Sequence, residues 1–188
     1  LLRTNRSGAY SCSTIVDCNT RKYHGLLVVP VPGLDSENHV LLSSLDPTVI
    51  QHGAAFNLGL HKYHGGNYSP NGHKYIREFN CDKVPTTIYR VGSALLKKEV
   101  VFQHYEERIL VRYTLLEGQG TTLLQFRPFL AFRSVREFTH ENGAISREYH
   151  NVENGIATCL YEGYPQLYMQ FSKDNEFHYE PYWYRGLE

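Results

Sequence analysis

Apolar and polar positions alternate with a period of two along much of the chain, the pattern of strands with one buried face. Within residues 73–79, Tyr75, Arg77 and Phe79 share one face and Lys74, Ile76 and Glu78 the other. Ile109, Val111, Tyr113 and Leu115 alternate with Leu110, Arg112 and Thr114. Elsewhere the apolar residues bunch into short runs bounded by turn residues, as in fully buried strands. Leu26-Leu27-Val28-Val29, closed by Pro30, is the clearest. Strands are predicted at 14–16, 23–29, 39–45 and 48–51, the last two separated by Asp46-Pro47. More follow at 73–79, 86–91, 109–115 and 121–126, then a bend at Pro128 and a strand at 129–132. Residues 94–107 carry mixed signals. Leu95 to Glu99 favour helix, whereas Val100-Val101-Phe102 pull toward strand.

The last third punctuates itself. Asn142-Gly143 and Asn154-Gly155 are Asn-Gly pairs between extended segments, a strong hairpin signal because both residues tolerate positive φ. They predict a meander of strands at 135–140, 144–150, 156–161, 167–171 and 177–183. Residues 52–72, rich in Gly, Asn and His, read as one long loop, a length often tied to function. No amphipathic helix is evident. Many short strands with frequent turns predict an all-β fold, a large antiparallel β-sandwich, in one domain over 1–188.

Composition narrows the function classes. The 188 residues carry 19 Lys and Arg against 19 Asp and Glu, a formal net charge of zero. The cations are scattered, without the basic stripe of a nucleic-acid binder. No apolar run reaches the length of a membrane span. The chain begins at Leu1, which suits a fragment or a processed product. Cys12, Cys18, Cys81 and Cys159 show no C-x-x-C pair and read as buried free thiols of a cytoplasmic protein. Cys12, Cys18 and His24 do not fit zinc spacings. His61, His64 and His73 are a further metal candidate; on balance neither metal nor cofactor is expected. Fifteen Tyr and nine Phe accompany a single Trp. Tyrosines suit half-buried strand faces, and they also suit stacking on a pyranose ring.

The stretch 5–29 organises the rest. Its polar cluster Asn19-Thr20-Arg21-Lys22-Tyr23-His24 stands where a loop dives into the buried strand. Asn5, Gly8 and Tyr10 with Asn19-Thr20-Arg21-Lys22-Tyr23-His24-Gly25-Leu26-Leu27-Val28 resemble the N-terminal signature of bacterial and archaeal glycogen debranching enzymes, the amylo-α-1,6-glucosidase family. Arg6, Ala9 and Lys22 depart from it, standing where the family prefers Gly, Gly and Arg. Tyr75-Ile76-Arg77-Glu78-Phe79, Ile109-Leu110-Val111-Arg112-Tyr113, the run from Arg127 to Arg133 and Trp183-Tyr184-Arg185 resemble later blocks. The resemblance implies a β-sandwich that precedes a catalytic α/α-barrel in the whole enzyme. It implies hydrolysis of α-1,6 branch linkages by that barrel, with or without a 4-α-glucanotransferase activity.

Glycoside hydrolysis uses two carboxyl groups facing each other across the scissile bond. The nineteen carboxylates here are spread over turns and solvated faces, and Glu106-Glu107 diverges if extended. No catalytic residue is assigned. Nucleophile elbows and phosphate loops are absent as well. Sugar recognition remains, through planar polar side chains and aromatic faces. Asn19, Arg21, Lys22, Tyr23 and His24, joined by Tyr63, His64 and Tyr68, are the candidates for contact with an α-glucan or with the barrel. Arg21 and His24 serve equally well as ties between the first strand and the sandwich. A free-standing carbohydrate-binding module and a purely structural docking domain are the alternative readings.

Overall fold

The structure is a computed structural model and describes residues 1–188. Its first strands are β1 (Leu2–Thr4), β2 (Tyr10–Cys12), β3 (Gly25–Pro30), β4 (Asn38–Gln51), β5 (Ala54–Asn57), β6 (His61–Tyr63) and β7 (Asn67–Ser69). A 3-10 turn over Gly72–Tyr75 leads into β8 (Ile76–Asn80), β9 (Thr86–Val91), β10 (Ala94–Phe102) and β11 (Ile109–Glu117). The series ends with β12 (Thr122–Ser134), β13 (Tyr149–Val152), β14 (Gly155–Thr158) and β15 (Leu167–Gln170). The fold is all-β, and the named strand pairs are antiparallel.

Two sheets face one another. The larger runs β1-β2-β3-β4-β12, with β5 on the far half of β4; the other runs β11-β10-β9-β8. Between them Val29, Leu41, Leu42, Phe102 and Phe132 form one core, joined by Leu167 from the small β13-β14-β15 sheet. Val49, Leu58, Tyr89, Val91 and Leu96 form a second. Strand β10 shows why the sheets meet: Ala94, Leu96, Lys98 and Phe102 are buried at alternate positions. The period of two thus overrides the local helix propensity of Leu95 to Glu99, because only an extended strand presents that face to a facing sheet.

Several predicted boundaries move. Residues 14–16 are a turn, not a strand: the Thr14 hydroxyl donates to the Cys18 carbonyl (2.9 Å) and accepts from the Cys18 N–H (3.0 Å). Such local side-chain bonds compete with a ladder. Asp46-Pro47 does not break β4. Pro47 lies where that side of β4 has no strand partner, between the residues paired with β3 and those paired with β5, so a missing N–H is tolerated. Pro128 sits within β12 because β12 is an edge strand, and the irregularity comes later, between Phe129 and Arg133. The supposed loop 52–72 is largely folded. His52 and Gly53, both at positive φ, make the tight turn into β5, and β6 and β7 pair as a hairpin. The strand placed at 73–79 starts only at Ile76, after the 3-10 turn.

The C-terminal third departs furthest. Residues 135–140 and 177–183 form no strand, and 144–150 becomes one only at Tyr149. Asn142 spends its side chain on an Asx turn and on the Tyr161 hydroxyl, so no hairpin forms there. The Asn154-Gly155 hairpin does form, with Asn154 at φ 51° and Gly155 already in β14.

Candidate functional site

The polar cluster sits at the end of the loop from β2 to β3, and its base is fixed from three sides. Asn19 accepts from the Ser13 hydroxyl (2.7 Å) and donates to the Ser43 carbonyl on β4 (2.8 Å). Cys18 is buried, as read from the sequence, whereas Cys81 is exposed and all four thiols are free. His24 is buried and folds back on its own loop. Its Nδ1 accepts the Thr20 N–H (3.1 Å), and its backbone N–H donates to the Arg21 carbonyl (3.0 Å). Burial first, and then the nearby Arg21 guanidinium, push its pKa below the ordinary histidine value. It is therefore a neutral acceptor, and its imidazole braces the turn.

This bracing leaves Arg21, Lys22 and Tyr23 outside. Arg21 donates only to its neighbour's carbonyl, Thr20 (2.9 Å). Lys22 reaches the Arg136 carbonyl (3.2 Å) and lies over the Phe138 ring, 4.9 Å from its centre. Arg133, on β12, donates to the carbonyls of Lys22 (2.8 Å) and Glu137 (2.9 Å) and stacks on the same ring. Sequence reasoning did not single out Arg133, Phe138 or Arg127; the basic residues at both ends of the 127–133 block were the available signal. Tyr23 keeps 49% of its surface and lines a small apolar pocket with Leu2, Ala9, Tyr10 and Cys12. Burial raises the Tyr10 hydroxyl to about 12, and it donates to the Tyr23 carbonyl (3.0 Å).

A trough of 3110 Å³ runs between the large sheet, β11, the small sheet and the C-terminal segment. Single small-molecule sites occupy roughly 300–1,000 Å³, so this volume suits a polymer or a protein face. Asn19, Arg21, Lys22 and His64 line it; Tyr23, His24, Tyr63 and Tyr68 do not. The two candidate clusters are neighbours, since the Cys18 thiol lies against the Lys62 backbone. Hairpin β6-β7 holds the chain's last residues. The His64 N–H donates to the Gly186 carbonyl (2.9 Å) and the Glu188 N–H to the Lys62 carbonyl (3.0 Å). Glu188 also ion-pairs with Lys62 and His64. Upstream, the Tyr184 ring packs at a tilt against Phe129 (centroids 4.4 Å apart), and its hydroxyl accepts from Arg127 (3.0 Å).

His61 does not join His64 and His73. It is buried under Phe129, with Nε2 2.7 Å from Asp46 Oδ2, and Asp46 also accepts from the Ser44 hydroxyl (3.2 Å). No group of three His, Cys, Asp or Glu side chains is placed to hold a metal. No helix is long and apolar enough to cross a membrane. Chemically, the trough offers guanidinium, amide and phenol groups along an aromatic wall, with Glu141 held by Arg185 and Glu188 held by Lys62.

No curated protein and no solved structure matches the chain. The family model described as glycogen debranching enzyme N terminal matches residues 1–188, the whole length. Its match spans the signature loop, the hairpin and the C-terminal segment alike, and the chain belongs to the glycogen debranching enzyme N-terminal family.

Proposed function

We propose that this chain is one non-catalytic domain of a cytoplasmic glycogen debranching enzyme, packing on a catalytic α/α-barrel and helping to form the cleft that binds α-glucan. The family membership supports the enzyme class. The observation that carries the rest is the gathering of Asn19, Arg21, Lys22 and His64 on the wall of one trough with Arg127, Tyr182 and Tyr184. Multi-donor planar groups beside aromatic faces match a polymer of hydroxyl edges and apolar ring faces. Tyr23, Tyr63 and Tyr68 lie outside the trough and serve the docking side of this reading. His24 acts on the loop from within.

Titrating the chain with maltoheptaose tests the sugar contact. Arg21→Ala with Lys22→Ala is expected to weaken binding several-fold and leave the melting temperature unchanged, since both side chains are exposed. Equal affinity in the double variant defeats the sugar role. A docking domain without sugar contact is the second reading, favoured by the exposed leucines Leu110, Leu115 and Leu123 on the same trough.

A further inference from the structure

The loop that ends in the polar cluster is tied to both sheets, and the second tie comes from a residue 81 positions away. Lys98 occupies an inward position of β10, between Leu96 and Phe102, and is only 6% exposed. It stands directly across from Tyr113 on β11, whose buried hydroxyl has no partner. Its Nζ donates to Asp17 Oδ2 at 2.5 Å, and this is its one salt bridge. Asp17 holds a left-handed conformation at φ 55°, immediately before buried Cys18 and anchored Asn19.

A buried ion pair is poor evidence for stability, because apolar residues of similar volume often serve as well. A methionine among Tyr89, Leu96 and Tyr113 would pack and would remove a charge from the core. It would not hold Asp17. The side of the pair that matters is thus the loop side: Lys98 reaches out of the second sheet and fixes the residue from which the exposed Arg21-Lys22-Tyr23 display is built.

We propose that Lys98 is a positioning residue for the 19–24 loop, acting through Asp17. Its effect on glucan rests on the reading of that loop as sugar-facing; its effect on the loop does not. The test is hydrogen exchange on the whole chain, with maltoheptaose affinity measured alongside. Lys98→Met is expected to speed exchange of the hydrogen-bonded Cys18, Thr20 and His24 amides by tenfold or more. Exchange in β4, β9 and β10 and the thermal midpoint should hold, and affinity should fall. Asp17→Asn keeps a residue that tolerates positive φ and strips the counter-charge. It should loosen the same amides and also lower the midpoint, since a buried ammonium is left unpaired. Should Lys98→Met fail to fold, Asp17→Asn carries the loop measurement alone. Unchanged 18–24 exchange in the folded variants overturns the proposal. Faster loop exchange with unchanged affinity upholds the positioning role and removes the sugar role of the loop.

Discussion

Two polar residues of the signature work from inside the fold, and each shows what burial demands of a side chain. Asn5 is fully buried. Its carbonyl oxygen accepts from the Ser7 and Ala9 N–H groups, and its amide donates to the Glu106 carbonyl (3.0 Å). Buried polar groups are in the great majority paired in this way, which is reason enough for an asparagine there without any ligand. His24 follows the same logic, with a titration attached. Its folded pKa lies below the value near 6.5 of an unfolded histidine, so the unfolded chain binds more protons on acidification. The contribution of neutral His24 is therefore complete above about pH 6.5 and is lost as the pH falls through the folded value. A protonated Nδ1 has no lone pair for the Thr20 N–H. On lowering the pH, the Thr20 amide proton is expected to lose its hydrogen-bonded shift and its exchange protection, as followed by NMR. A Thr20 signal indifferent to pH would place the brace elsewhere.

At the scale of elements, close approach decides more than propensity. Strand β14 is the middle of its small sheet, and Gly155 faces β15 so tightly that a Cβ there would run into the Met169 carbonyl oxygen. Gly155→Ala is expected to cost about 1–3 kcal/mol, the scale of overpacking, read as a lower denaturation midpoint. An unshifted midpoint would mean that β15 moves aside freely. Asn154-Gly155 was legible in the sequence, and so were β3, β9 and β11, because each carries its burial pattern in its own residues. Strand β10 was only half legible. Its alternation from Ala94 to Phe102 is present, but it places a lysine on the core face, and the partner that makes this tolerable lies at Asp17. The C-terminal segment was the least legible. Its aromatic residues read as strand formers, yet their rings are used across segments: Tyr149 on Phe177 and Tyr179, Phe129 on Tyr184. Nothing local announces such pairings. The site divides the same way. The place of Arg21 and Lys22 at the loop end was legible, but Arg21 read equally well as a tie into the sandwich, and its exposure came from the fold. The burial of His24 and the role of Arg133 required the fold.

Across the whole molecule, the trough joins two surfaces of different chemistry. Around Lys22, Arg127, Arg133 and Tyr184 it presents cations on aromatic rings, groups that hold water or hydroxyls well. Elsewhere on its wall, Leu110, Leu115 and Leu123 keep 51%, 45% and 58% of their surface. Aliphatic side chains gain little from a sugar and much from another protein surface, so this part is the docking half of the proposed role. Such a patch has a measurable consequence when the chain is alone. It should take up a hydrophobic dye and drive reversible self-association at high concentration. Leu115→Lys with Leu123→Lys should abolish both and change stability by no more than about 0.5 kcal/mol per site, because neither side chain is in the core. Sedimentation velocity over a concentration series is the check. If the unaltered chain stays monomeric and dye-free, these leucines are ordinary surface residues, and docking must use another face.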